Sequence, residues 1–89
     1  MKRISCHITG QVQGVFFRHF TRINAQNLGL TGTVQNMADG SVFVIAEGEE
    51  KTLERFTDLL KKGPPRSRVE EVKTEWSEAT GEFSSYEEI

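Results

Sequence analysis

The apolar residues of this chain switch repeatedly between a period of two and a period near 3.6, and that alternation restricts its folds more than any other feature. Ile4, Cys6 and Ile8 share one face of an alternating run whose other face is Ser5, His7 and Thr9, the pattern of a half-buried strand. After the break Gly10-Gln11-Val12-Gln13-Gly14, the residues Phe16, Phe17, Phe20, Ile23 and Leu28 recur at helical spacing until Gly29, which predicts a helix over about 17–28. Leu30 to Asn36 and Ser41 to Glu47 are β-prone runs separated by Met37-Ala38-Asp39-Gly40, whose Asp-Gly pair favours a hairpin turn. Leu53, Phe56, Leu59 and Leu60 mark a second amphipathic helix, closed by Gly63 and barred from continuing by Pro64-Pro65. Val72, Thr74 and Trp76 alternate as a fourth strand, and a short last strand is expected at Phe83 to Tyr86.

Strand, helix, strand, strand, helix, strand is the order of the ferredoxin-like, split βαβ arrangement. The expectation is an α+β fold with a mixed, mostly antiparallel sheet and both helices on one face. A chain of 89 residues has room for one hydrophobic core, so residues 1–89 are read as a single domain. No apolar run approaches the roughly 20 residues of a spanning helix, which excludes a helical membrane protein. The start, Met1-Lys2-Arg3-Ile4-Ser5-Cys6-His7, lacks the apolar stretch of a signal peptide, so a cytoplasmic location is expected. Cys6 is the single cysteine, which excludes an internal disulfide and, with two scattered histidines, makes a metal site a poor reading.

Charge is unevenly placed. Residues 1–38 contain Lys2, Arg3, Arg18 and Arg22 but no acid, whereas every Asp and Glu lies at Asp39 or beyond. A basic half suits a small anionic ligand, while the acidic remainder would repel a nucleic-acid backbone. The anion site is expected where the first strand hands over to the first helix, because unpaired amides and the positive end of the helix dipole converge there. Gly14 allows positive φ, so that successive N–H groups turn inward. Arg18 falls in the first helical turn, where the dipole disfavours a cation; a bound anion would give it a reason to be there.

The run Gly10-Gln11-Val12-Gln13-Gly14-Val15-Phe16-Phe17-Arg18 closely resembles the first signature of the acylphosphatase family. Gly29-Leu30-Thr31-Gly32-Thr33-Val34-Gln35-Asn36-Met37-Ala38-Asp39-Gly40-Ser41-Val42 resembles its second, and the similarity continues to Gly63-Pro64-Pro65-Arg66-Ser67-Arg68-Val69. The resemblance implies hydrolysis of the carboxyl-phosphate bond of a small acyl phosphate, by a monomer, without metal or cofactor. It also implies a substrate-binding loop of Gln13, Gly14, Val15, Phe16 and Phe17 with Arg18, and a catalytic pair in which Arg18 holds phosphate and Asn36 orients water. The chemistry agrees, because a carboxylate leaves without an acid to protonate it, and phosphoryl transfer then needs mainly positioning and charge stabilisation.

Two alternatives remain at this level. A non-catalytic anion- or partner-binding module of the same family would not need both Arg18 and Asn36. An RNA-binding domain of this topology would need exposed aromatics on its central strands, and the polar face of the first strand offers only Ser5, His7 and Thr9. Among other reactive side chains, Cys6 shares the apolar face of its strand, and His19 is set about 100° around the helix from Arg18.

Overall fold

The computed structural model describes residues 1–89. Its elements are β1 (Lys2–Gln11), α1 (Phe17–Asn27), β2 (Thr31–Asn36), β3 (Val42–Gly48), α2 (Glu50–Lys62), β4 (Arg68–Glu78) and β5 (Tyr86–Glu88). The sheet runs β4-β1-β3-β2-β5. β3 lies antiparallel between β1 and β2, β4 is antiparallel to β1, and β5 joins β2 in parallel. The expected ferredoxin-like α+β fold is therefore present, with a fifth strand added at the β2 edge.

The core follows from the alternation. Ile4, Cys6 and Ile8 of β1, Val34 of β2, and Val42, Val44 and Ala46 of β3 are fully buried beneath Phe17 and Ala25 of α1 and Leu53, Phe56 and Leu60 of α2. The Cys6 thiol is enclosed here, and burial raises its pKa, so it behaves as a small hydrophobe and not as a nucleophile. In α1 the buried stripe is Phe17, Thr21 and Ala25 at spacing of four, with Leu28 partly buried. Phe16 and Ile23, expected on that stripe, are exposed instead. Thr21 takes its place in the core by donating its hydroxyl to the Phe17 carbonyl at 2.9 Å.

Three boundaries differ from the sequence reading. β1 does not stop at Gly10; a bulge between Thr9 and Gly10 carries it on to Gln11, opposite Arg68. Gly10 sits there at φ 124°, and a Cβ would lie 2.0 Å from the Arg68 carbonyl oxygen, so only glycine permits the pairing. β4 accordingly begins at Arg68, four residues before Val72. The last strand is Tyr86–Glu88, not Phe83 to Tyr86, because residues between Glu78 and Tyr86 must cross from one edge of the sheet to the other. Phe83 anchors that crossing with its ring 5.2 Å from the Arg3 guanidinium carbon.

Candidate active site

The loop between β1 and α1 has an unusual backbone. Gly14 lies at φ 75° and Phe16, the residue before the helix, at φ 64° and ψ 25°; Phe16 is the one non-glycine residue with positive φ. Left-handed residues at Gly14 and Phe16, with one residue between them, are the kind of backbone in which successive amides can turn to one side as a nest. The helix that follows has no side-chain cap and no acid in its first turn. α2 shows the ordinary arrangement, with Glu50 in its first turn and Lys61 and Lys62 in its last. α1 instead presents Arg18 and His19 at its positive end, an arrangement that a bound anion relieves.

A cavity of about 230 Å³ opens at this point. Its walls are Val12, Gly14, Phe16 and Phe17 from the loop, Arg18 and His19 from α1, Asn36 from the end of β2, and Glu88 from β5. Arg18 and Asn36, eighteen residues apart in the chain, are thus brought to one space by the α1–β2 connection. The Arg18 Nη1 donates to the Ile89 backbone oxygen at 3.1 Å, which holds one side of the guanidinium fork.

Asn36 ends β2 opposite Val42. The turn beyond it is made by other groups. Met37 N donates to Ser41 O at 2.8 Å, and Asp39 Oδ1 accepts from both the Ser41 amide at 2.9 Å and its hydroxyl at 2.5 Å. Those donors, the hydroxyl first, lower the Asp39 pKa. The hydrogen bonds of the turn do not employ the Asn36 side chain, and Asn36 lines the cavity.

Gln13 plays a part the sequence did not reveal. Its Nε2 donates to two hairpin carbonyls, Met37 O and Ser41 O, both at 2.8 Å. Gln13, expected in the substrate-binding loop, uses its side chain to bridge that loop to the hairpin that follows Asn36. Val15 is not a wall of the cavity; it packs against the core. Of the residues singled out in the sequence, Gly14, Phe16, Phe17, Arg18 and Asn36 line this one cavity.

His19 and Glu88 were not anticipated. Helical rotation away from Arg18 does not take His19 out of the cavity, because the helix end is open there. Glu88 arrives with β5 and accepts from Arg22 Nε at 2.6 Å, and Arg22 Nη2 lies 3.2 Å from His19 Nδ1. An acid therefore does reach the site despite the basic N-terminal half, and it is paired with a cation when it does. The sequence signal was the Arg22/Glu88 charge pair, unreadable without knowing that β5 lies beside α1.

A split βαβ fold whose first helix opens beside a left-handed loop, an arginine and an asparagine has a candidate site for a small anion at one end of its sheet. Comparison with known proteins gives the family. The Acylphosphatase family model matches residues 4–88. An acylphosphatase of Dehalococcoides mccartyi (strain CBDB1) is 49% identical over 80 residues, covering 89% of this chain and 88% of that one. The acylphosphatase crystal structure from Bacillus subtilis superposes with a TM-score of 0.97 at 32% identity, covering 100% of this chain and 99% of the other. An acylphosphatase structure from Coxiella burnetii gives a TM-score of 0.91 at 36% identity, over 98% and 90% of the two chains. The chain belongs to the acylphosphatase family, whose enzymes are hydrolases of the carboxyl-phosphate bond of acyl phosphates.

Proposed function

We propose that Arg18 and the amides of the Gln13–Phe17 loop bind the phosphoryl group of a small acyl phosphate, and that Asn36 orients the water that attacks it. The water oxygen forms a bond to phosphorus as the bridging P–O bond breaks; the carboxylate leaves with the electron pair, and the proton passes to phosphate and solvent. Charge spread over the equatorial oxygens falls among the Arg18 fork and the inward-facing amides, where fixed donors need no reorganisation. The observation that carries this reading is the meeting of Arg18, Asn36 and the left-handed loop at one cavity. The proposal needs no metal, since the cavity's one carboxylate, Glu88, is bonded to Arg22. It takes residues 1–89 as one working domain, acting as a cytoplasmic monomer with neither nucleic acid nor membrane as partner; no helix is long and apolar enough to cross a bilayer.

Asn36→Ala tests the division of labour. Turnover should fall roughly 10²- to 10³-fold, about 3 to 4 kcal/mol of barrier, while the inhibition constant of inorganic phosphate stays within a factor of about two. Undiminished turnover with weakened phosphate inhibition would put Asn36 on the phosphate and overturn the assignment. Activity should also survive exhaustive chelation; a loss restored by magnesium would sink the metal-free reading.

A further inference from the structure

We propose that Phe16 is a contact for the acyl half of the substrate, so that the site selects acyl phosphates with an uncharged apolar acyl group, aromatic ones above all. This rests on the cavity being the acyl-phosphate site. Three observations lead to it.

The first is conformational. Phe16 holds φ 64°, a region that a bulky side chain rarely adopts and that Gly or Asn occupies readily. An aromatic residue held in such a strained position at the wall of the cavity points to a use for its side chain. The second is exposure. Three apolar residues wall the cavity, and Val12 and Phe17 are each 1% exposed and belong to the core. Phe16 is 74% exposed, so its ring adds nothing to the core and has a free face beside the phosphate cradle.

The third is charge. Arg18 is assigned to the phosphoryl group, and the other guanidinium nearby, Arg22, is bonded to Glu88. A second anionic group on the substrate would meet the Glu88 carboxylate without a free arginine to balance it. With the phosphoryl group on the helix end, the remainder of the substrate must leave the cradle along its walls. The wall with unclaimed apolar surface is the Phe16 ring.

The test is a selectivity ratio: kcat/KM for benzoyl phosphate over kcat/KM for acetyl phosphate, in the wild type and in Phe16→Gly, Phe16→Asn and Phe16→Trp. Gly and Asn both tolerate positive φ, and a ratio cancels any change in the loop's grip on the shared phosphoryl group. The ratio should drop about 3- to 10-fold in the Gly and Asn variants, the size of one aromatic contact, and be kept or raised in the Trp variant. Equal ratios in all four proteins would overturn the proposal and leave Phe16 as a residue with some other duty, such as docking to a protein. Phenylphosphonate and methylphosphonate, compared by thermal shift, read the same contact without turnover. A wild type that binds phenylphosphonate more tightly through Phe16 yet hydrolyses neither substrate would sink the proposed function alone. Equal binding of the two phosphonates across the variants would sink the Phe16 contact alone.

Discussion

At the scale of single residues, the site depends on direction more than on charge. Arg18 has one nitrogen tied to the Ile89 backbone, which fixes how the rest of the planar fork enters the cavity. Lysine would keep the charge at that helix turn and lose both the tether and the paired donors. Arg18→Lys is therefore expected to cost on the order of 10²-fold or more in kcat/KM for an acyl phosphate, with phosphate inhibition weakened in parallel. A variant that retains near wild-type kcat/KM would show that a point charge suffices. Asn36 is the complementary case, a neutral side chain whose value lies in where β2 ends. That both residues line one cavity could be anticipated from sequence, because each stands in a motif tied to a local break in structure. The side-chain bridge of Gln13 was not legible, because its reach across to Met37 and Ser41 depends on the relative height of two loops that sequence does not give.

Secondary-structure elements matter here through their ends, and Gln13 is what joins two of them. The loop after β1 and the hairpin after β2 belong to strands separated by β3, so the sheet sets their distance only coarsely. Two hydrogen bonds from one carboxamide set it finely. Gln13→Ala removes both donors, and Gln13→Glu replaces them with acceptors that face two carbonyl oxygens. Turnover should decrease in the order wild type, Ala, Glu, by about 10-fold for Ala, while phosphate inhibition by the Arg18 side of the site changes much less. Equal turnover in all three would mean that the bridge has no part in aligning Asn36 with the loop. The elements themselves were readable wherever one face is buried: β1, β2, β3 and α2 appear within a few residues of their expected bounds. β4 and β5 were less so, since they are edge strands. The exposed run of β4 gives little alternation to read, and β5 owes its position to a bridge across the sheet, not to its own pattern.

For the molecule as a whole, the end of the sheet opposite the site is held by a compact ionic cluster. Glu47, 5% exposed, accepts from Arg3 Nε at 2.8 Å, Thr80 N at 2.9 Å and Gly81 N at 3.1 Å, while Arg3 also bonds Glu82 and Thr80. Burial alone would raise the Glu47 pKa; the Thr80 amide, Arg3 and the Gly81 amide outweigh it, and the net shift is downward. A carboxylate depressed in the folded state contributes stability that is complete above its ordinary value of about 4.3 and is lost as pH falls through its lowered folded value. Glu47→Gln should lower stability at neutral pH by about 2 kcal/mol, read as a drop in Tm near ~10 °C, and should flatten the loss of stability below about pH 4. An acid limb unchanged in the variant would mean that other carboxylates govern it. Arg3 lies near the start of β1 and Val12 just past its end, roughly 30 Å of extended chain apart, so this cluster and the cavity answer to different mutations.

What the cluster fastens is the segment that leads to β5, and β5 is three residues long. It covers the margin of β2 by pairing Tyr86–Glu88 in parallel with Gly32–Val34, flanked by Gly32 N to Ser85 O and Ile89 N to Val34 O, with the Tyr86 hydroxyl on Thr33 O and its ring in the core. A cover only three residues long, at the edge of the sheet, is expected to open before the central strands do. Once open, it offers a strand bearing Thr33 and Val34 to any extended chain nearby, including the same segment of another copy. Acidification, by loosening Glu47, removes one restraint on that cover. The expected failure of this protein under acid stress is therefore exchange of strands between copies that still keep their helices packed, a route to self-assembly that begins at the tail.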